Sequence, residues 1–317
     1  MIPTKIKEQI KSDKNKGKVC WIDGEYVKWD NAVVHIKTHA LSYGSSIIEG
    51  IRAYKVEEGY SIFRLDDHIE RFYKSAKIYD FQPEYSPEEI KNAIIELVRK
   101  NASGEDLYIR PIMFIGYGPL GLYHKKNPVD VAIYVVPLGR FFGEEAIKKG
   151  ITVKISSWRR IPPDIIPPEA KMGGNYLNSI MAKLEAKNCG FDDAILLTRE
   201  GFLSEATGAN VFIVHKNTLI TPPTSASILP GITRETIIQL AKDEGYPVIE
   251  RMISRGEIYR ADEIFFCGTA DEVTPVSKVD HVFLGVGPVT MKIRDLYMRT
   301  VRCKNMKYKH WCTLVKI

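Results

Sequence analysis

Two periodicities alternate along this chain. Across residues 19–29 (VCWIDGEYVKW), apolar and polar positions alternate on both sides of Asp23-Gly24, which predicts a hairpin with that pair as its turn. A second strand pair is expected across residues 54–64, around Glu57 to Gly59, and residues 33–36 also read as strand-like. From Leu65 the period lengthens. Ile69, Phe72, Tyr73 and Ala76 then share one face of a helix, with Asp66 or Asp67 as its cap. A further helix carries Ile90, Ile94, Leu97 and Val98, opened by Ser86 as N-cap and Pro87 at the first position. Strands over 106–115 and 129–137 complete a small α+β domain, residues 1–137.

Residues 138–146 read as an interdomain linker, and 147–317 as a larger domain. It starts with a strand at 150–157 and a proline-stiffened loop, IPPDIIPPE, at 161–169. A helix from about Tyr176 is expected to turn Leu177, Ile180, Met181 and Leu184 inward, and Gly190 stops it. Short strands meander through 194–221, with turns at 199–201 and 216–218. Leu229-Pro230-Gly231 opens a helix through Ile237 and Ala241 that ends at Gly245. Strands at 247–252 and 263–267 follow.

Composition narrows the class without choosing a function. A chain of 317 residues suits two domains, and 44% hydrophobic with 26% charged residues excludes disordered and fibrous classes. The net charge of 45 − 39 = +6 gathers at the ends, from Lys5 to Lys18 and from Arg302 to Lys309. These are expected to be solvated, frayed termini. The N-terminal run lacks the aromatic and glycine interleaving of a nucleic-acid arm, and no nucleic-acid partner is expected. Five cysteines, an odd number without CxxC spacing, indicate neither a zinc site nor a disulfide framework and suit a reducing, cytoplasmic setting. No apolar run reaches about 18 residues and no secretory pattern opens the chain, so no membrane partner is expected.

Two motifs mislead. Gly116, Gly118 and Gly121 spell GxGxxG after a strand, but a dinucleotide turn requires a helix next, and LYHKKNP is loop chemistry. His35 and His39 lie four apart, yet no carboxylate or cysteine nearby completes a ligand set, so no metal is expected.

The chemistry concentrates in EAKMGGNY at 169–176. Taken alone, Lys171 reads as a surface lysine. Its companions change that reading: Glu205 in LSEATGANVF, Gly231-Ile232-Thr233 in LPGITR, and Gly268-Thr269-Ala270 after the apolar Ile264-Phe265-Phe266. Together these resemble the fold-type IV aminotransferase family, and within it the branched-chain members. The resemblance runs from HALSYG at 39–44 to GPVT at 287–290, and loosens after Tyr297. It implies a two-domain α/β (α+β) fold, in which a small N-terminal α+β domain precedes a larger domain with a mixed, barrel-like β core. It also implies pyridoxal 5'-phosphate as cofactor, and transamination between leucine, isoleucine or valine and 2-oxoglutarate.

By that resemblance Lys171 is the catalytic amine that joins the cofactor and then moves the proton. Holding any lysine neutral near pH 7 rather than about 10.4 takes about 4.6 kcal/mol, which requires an enclosed or electropositive site. Glu205 would partner the ring nitrogen, and Tyr176 the phenolic oxygen. Arg71, Leu229, Ile232, Thr233 and Thr269 would hold the cofactor, chiefly its phosphate, at a helix N-terminus. Outside the family pattern, Arg71 would read as a solvated helix position and Arg110 as a sheet-edge charge. Tyr108 and the N–H groups of Thr269 and Ala270 are matched to the substrate α-carboxylate, and Arg110 and Tyr43 to the distal carboxylate of glutamate. Tyr108 and Arg110 share a strand face. Gly50, Ile48, Leu138 and Phe141 complete the substrate set. The last three depart from the family pattern: Ile48 and Leu138 stand where an aromatic residue is common, and Phe141 where tyrosine is. The alternatives are a D-amino-acid aminotransferase or an aminodeoxychorismate lyase on the same fold. A homodimer or higher assembly of the chain with itself is implied, with amino acids and 2-keto acids as small-molecule partners.

Overall fold

The computed structural model describes residues 2–139 and 141–317. The chain divides into two compact units. The first comprises the described residues up to Gly139, together with Met172–Gly174 and Val301–Ile317; the second comprises those up to Lys171 and Asn175–Thr300.

In the first unit a short helix, α1 (Thr4–Ser12), precedes the hairpin β1 (Val19–Ile22) and β2 (Glu25–Lys28). Its turn residues Asp23 and Gly24 both have positive φ, 44° and 89°, as a right-twisted two-residue hairpin requires. Next come α2 (His39–Tyr43), β3 (Ser46–Ile48), β4 (Ile51–Val56), β5 (Gly59–Phe63), α3 (Leu65–Ile78), α4 (Pro87–Asn101), β6 (Leu107–Ile115) and β7 (Val129–Pro137). Ser86 caps α4 in a full capping box with Glu89, and Pro87 fills the first turn. Ile69, Phe72, Ile94 and Leu97 bury against Ile109, Ile133 and Val135 of the sheet.

The second unit opens with α5 (Gly143–Lys149) and β8 (Ile151–Arg159), followed by α6 (Tyr176–Asn188) and β9 (Asp193–Leu197). The strands β10 (Leu203–Ala206), β11 (Asn210–His215) and β12 (Thr218–Thr221) lead to α7 (Ile232–Asp243) and β13 (Val248–Glu250). After α8 (Arg255–Ile258) come β14 (Glu263–Gly268), β15 (Glu272–Val279), β16 (Val282–Phe283) and α9 (Pro288–Val301). A mixed sheet runs β10-β9-β8-β15-β14-β11-β12-β13, with β16 beside β15. The strand β8 is parallel to both β9 and β15, whereas β14 is antiparallel to β11 and β15. This is the curled half-barrel expected of the larger domain. In the first unit, β17 (Cys312–Lys316) closes the edge of the order β17-β5-β4-β6-β7-β1-β2.

Several expectations need correction. Residues 33–36 form no strand. Arg64 is the N-cap of α3, in the left-handed region, and Asp66 and Asp67 lie inside its first turn; Asp67 instead accepts from Arg64 Nε at 2.7 Å. Residues 143–146 of the expected linker are helical, and position 140 lies outside the described residues. The C-terminus is not frayed: β17 pairs with β5 in full register, and Arg302 donates to both oxygens of Asp106. The inner face assigned to α6 is also reversed. Leu177, Ile180, Met181 and Leu184 are 43–68% exposed, while Ser179, Ala182 and Ala186 are buried. Small residues let the helix backbone close on Ala194 and Leu196 of β9, so the narrow face packs and the bulky one is left outside.

One buried carboxylate also serves as a fastener. Glu263, on β14, accepts from the N–H groups of Val289 and Thr290 at 3.0 and 2.7 Å, satisfying the orphan donors of α9. Glu263→Ala is expected to lower stability by roughly 1–3 kcal/mol, because two buried donors lose their acceptor. The midpoint of urea unfolding, compared with wild type, checks this.

Candidate active site

The site in the second unit is best built outward from the strand β10. Between its two pairings with β9, Leu203 with Leu197 and Ala206 with Ile195, it carries one residue more than its partner. Such a bulge re-aims a side chain, and Glu205 lies within it. Its carboxylate is buried, and the three groups around it lie on separate elements. Arg160, just after β8, approaches Oε1 at 2.8 Å. Asn210 Nδ2 and the Leu229 N–H both donate to Oε2 at 3.0 Å. Asn210 also donates to the Leu229 carbonyl at 3.0 Å, so one amide ties the acid to the loop that opens α7. Gly231 is the N-cap of α7, and a Cβ there would stand 1.9 Å from Asn210 Oδ1. Only glycine lets the loop reach that amide. Ile232 and Thr233 follow, both buried, at the first turn of a 12-residue helix, where backbone N–H groups and the dipole favour an anion.

Lys171 ends the proline-rich loop and is half-buried. Its Nζ is 2.6 Å from Tyr176 Oη, at the first position of α6. Asn175, buried beneath, donates to the carbonyls of Pro167 and Ala170 and holds the loop to the helix. In the first unit, Met172 bridges Ile47, and Gly173 passes so near Ser46 that a Cβ would stand 2.3 Å from its Oγ. The first glycine after the lysine thus has a steric reason.

The turn after β14 carries Thr269 and Ala270, both partly exposed, and then Asp271. Register sets Asn210 opposite Cys267. Burial, and then Asp193, push the Asp271 carboxyl up to about 6, against the pull of Lys183 and Lys171. Burial likewise raises the Cys267 thiol, which lies in the field of Arg234, Asp271 and Glu205. Lysine, glutamate and the glycine-threonine-alanine turn therefore act on the same end of β14. Sequence reasoning missed Arg160, which follows the polar stretch Ser156-Ser157-Trp158-Arg159 and reads as a surface charge, and Asp271, for which a charge just past the apolar strand Ile264-Phe265-Phe266 was the available signal.

The remaining candidates lie in the first unit, except Phe141, which belongs to the second and is exposed. Arg110 NH2 donates to Tyr108 Oη at 2.6 Å on the alternating face of β6. A Cβ on Gly50 would stand 2.3 Å from that phenol oxygen, so position 50 must be bare. Tyr43 is exposed at the end of α2, and Ile48 is partly buried at the end of β3. The Leu138 carbonyl is held by Arg52 NH2 at 2.7 Å, and that arginine is otherwise buried beside β6. Arg71 grips Glu49 through Nε at 2.7 Å and NH2 at 2.9 Å, and His68 Nδ1 lies 2.8 Å from the same carboxylate. Burial would raise Glu49, but Arg71 and then His68 outweigh it and hold the carboxyl well below its ordinary range. The sequence pattern marks neither Glu49 nor Arg52, each of which stands as a lone charge in an apolar run.

This donor set fits a phosphorylated, aldehyde-bearing heteroaromatic cofactor: an amine, a phenol, a buried carboxylate fixed in place, and a helix N-terminus with a hydroxyl. Among the described residues no cluster could hold a metal ion, and no helix is long and apolar enough to cross a membrane.

Comparisons with known proteins agree on one family. The amino-transferase class IV model matches residues 46–279. The chain is 43% identical to the branched-chain-amino-acid aminotransferase of Escherichia coli (strain K12) over 290 residues, covering 89% of this chain and 92% of that one. A branched-chain aminotransferase of Thermoproteus uzoniensis solved with norvaline superposes with a TM-score of 0.90 at 43% identity, covering 94% of this chain and 99% of that one. A T.th. branched-chain amino acid aminotransferase complexed with N-(5'-phosphopyridoxyl)-L-glutamate gives 0.90 at 38% identity, with 95% and 99% covered. A family model spanning most of the chain, and relatives this similar over nearly their whole length, leave one conclusion: the chain belongs to the class IV aminotransferases.

Proposed function

We propose that this protein is a pyridoxal-phosphate-dependent transaminase that exchanges the amino group between leucine, isoleucine or valine and 2-oxoglutarate. The observation that carries the reading is Lys171 Nζ at 2.6 Å from Tyr176 Oη, beside a turn whose neighbouring strand ties in the buried Glu205. When bound, the cofactor supplies an aldehyde for the amine and a ring that accepts the electrons of the broken Cα–H bond. Glu205, paired with Arg160, holds the proton on the ring nitrogen. Tyr176 orients the lysine amine and donates to the ring's phenolic oxygen. Lys171 then moves the proton as general base and acid. The N–H groups of Ile232 and Thr233, the Thr233 and Thr269 hydroxyls, the Leu229 loop and Arg71 take the phosphate, with Arg71 pre-aimed by Glu49.

For the substrate, Tyr108 and the Thr269 and Ala270 N–H groups take the α-carboxylate. Arg110 and Tyr43 take the distal carboxylate of glutamate, and Gly50, Ile48, Leu138 and Phe141 shape the space for a branched side chain. The ligands of two relatives, norvaline and a phosphopyridoxyl-glutamate, support an apolar and an acidic substrate sharing one site. Addition of L-leucine to the cofactor-loaded protein is expected to abolish its near-visible absorbance, and 2-oxoglutarate to restore it. Lys171→Ala is expected to lack the band altogether. Turnover of D-alanine without L-leucine would refute the substrate assignment and favour the D-specific alternative.

The Asp271 charge sets a pH dependence. Its folded pKa of about 6 lies above the ordinary carboxylate value, so it is neutral below that pH and anionic above it. Asp271→Asn removes that titration, so an inflection near pH 6 in the rate of the absorbance change is expected in the wild type and absent from the variant. Spectrophotometric titration of both proteins measures it.

The assembly we propose is a homo-oligomer. The apolar stripe of Leu177, Ile180, Met181 and Leu184 on α6 supports it, since an exposed face of this kind is ordinarily covered. Ile180→Glu with Leu184→Glu is expected to reduce the mass seen by light scattering, and an unchanged mass would count against α6 as the contact.

A further inference from the structure

The five thiols differ sharply in their surroundings. Cys20 and Cys267 are buried, and Cys189 stands alone and exposed after α6. Cys303 and Cys312 are half-exposed neighbours at the other end of the chain. The Cys312 thiol hydrogen-bonds with the Cys303 thiol and with the backbone of Cys303. Ser61 Oγ lies 3.2 Å from Cys303 Sγ. Both positions are anchored on the first unit's sheet. Cys312 pairs with Phe63 across β17 and β5, and Arg302 is clamped by Asp106 and by the Lys55 carbonyl at 2.8 Å.

The backbone gives a second, independent observation. Cys303 has φ +56°, a left-handed conformation that glycine adopts freely and a residue with a Cβ only at a cost. That conformation, two residues past the end of α9, turns the chain so that the Cys303 side chain faces Ser61 and Cys312. Neither the transamination chemistry nor any residue assigned to it involves this corner of the fold.

We propose that Cys303 and Cys312 are an oxidisable thiol pair, which a peroxide converts to an intrachain disulfide joining the turn before residue 304 to the first residue of β17. The electron balance is simple. The Cys303 sulfur takes one peroxide oxygen: an S–O bond forms, the O–O bond breaks and water leaves. The Cys312 sulfur then attacks that sulfur, forming S–S as S–O breaks, and the departing hydroxide leaves as water with the Cys312 proton. Two thiols lose two electrons, and one peroxide becomes two waters. Burial, and then the adjoining Cys303, push the Cys312 thiol up to about 12. The closing step, which uses the thiolate, therefore accelerates with pH, about tenfold per unit through the neutral range. Closure shortens the free tail of the denatured chain, and so holds β17 on β5 more firmly.

The test treats the full-length protein with hydrogen peroxide, blocks residual thiols and digests with trypsin. The expected product is the dipeptide of residues 303–304 joined to the peptide 310–316, lighter than the two free peptides by about 2 Da for the two hydrogens lost. Free thiols fall from five to three, closure quickens with pH, and the melting temperature rises by about 5 °C until a dithiol reverses it. In Cys312→Ser the oxidised Cys303 has no resolving partner, so a sulfenic-acid trap is expected to label it. A cross-link through Cys189, a link between two chains, or oxidation that consumes other thiols while 303 and 312 remain alkylatable would each overturn the proposal. Because the readout is a covalent mass, it stands or falls apart from the catalytic reading.

Discussion

The second unit is organised around one negative charge that cannot reach bulk water. Burying a carboxylate is expensive unless opposite charge and donors replace the lost hydration. Glu205 meets that demand with three groups from separate places in the chain: Arg160 after β8, Asn210 at the head of β11, and the Leu229 N–H. Each contact fixes a structural feature in return. Arg160 spans to Ser179 on α6 at 3.3 Å and to the Ser227 carbonyl at 3.4 Å, so the same guanidinium links the acid to the helix that begins at Tyr176. Asn210 fixes the loop before α7, and with it the direction in which that helix presents its N-terminus. The buried acid, the loop that carries Lys171 and the turn that opens α7 thereby share one network, and none can drift without disturbing the others.

The first unit repeats this logic with a different pairing. Glu49 is fully buried between Arg71 and His68, and its neighbours Gly50 and Arg52 both act on the same patch of β6. Gly50 leaves room for the Tyr108 phenol; that phenol accepts from Arg110; Arg52 holds the carbonyls of Leu138 and Gly139. A short run of chain thus sets an arginine, a tyrosine and a stretch of backbone, using one charge, one absence of a side chain and one reach. A buried pair of this kind contributes little net stability, because desolvation offsets the attraction. Its value lies in geometry: a guanidinium already bound at Nε and NH2 has few orientations left.

How much of this was legible in the sequence depends on the length scale of the signal. The hairpin at Asp23-Gly24, the capping box at Ser86 and the helix opened by Gly231 all rest on local chemistry, and they stand where residue types alone put them. Lys171, Glu205 and the 268–270 turn were singled out by a long motif, and the fold brings them to one strand end. What failed was whatever depends on a partner far along the chain. Cys312 to Lys316 form a strand only because the edge of β5, far back in the sequence, is open to them. Residues such as Glu49 and Arg160 carry no periodic signature, since a buried ion pair reads in sequence like two surface charges.

The helix α6 shows the limit most clearly. Its apolar residues Leu177, Ile180, Met181 and Leu184 do share one face, as the spacing demands. Periodicity establishes that a face exists, but not which side is covered by the chain's own core. Here the decision falls to size: β9 presents Ala194 and Leu196, and a backbone approach close enough to bury them admits only alanine and serine from the helix. Had Leu177 and Leu184 turned inward, the helix axis would have to stand off from the sheet by the width of those side chains. Tyr176 would then move with it. The position of the phenol beside the Lys171 amine is therefore a consequence of Ala182 and Ala186 being small, two residues that touch neither group.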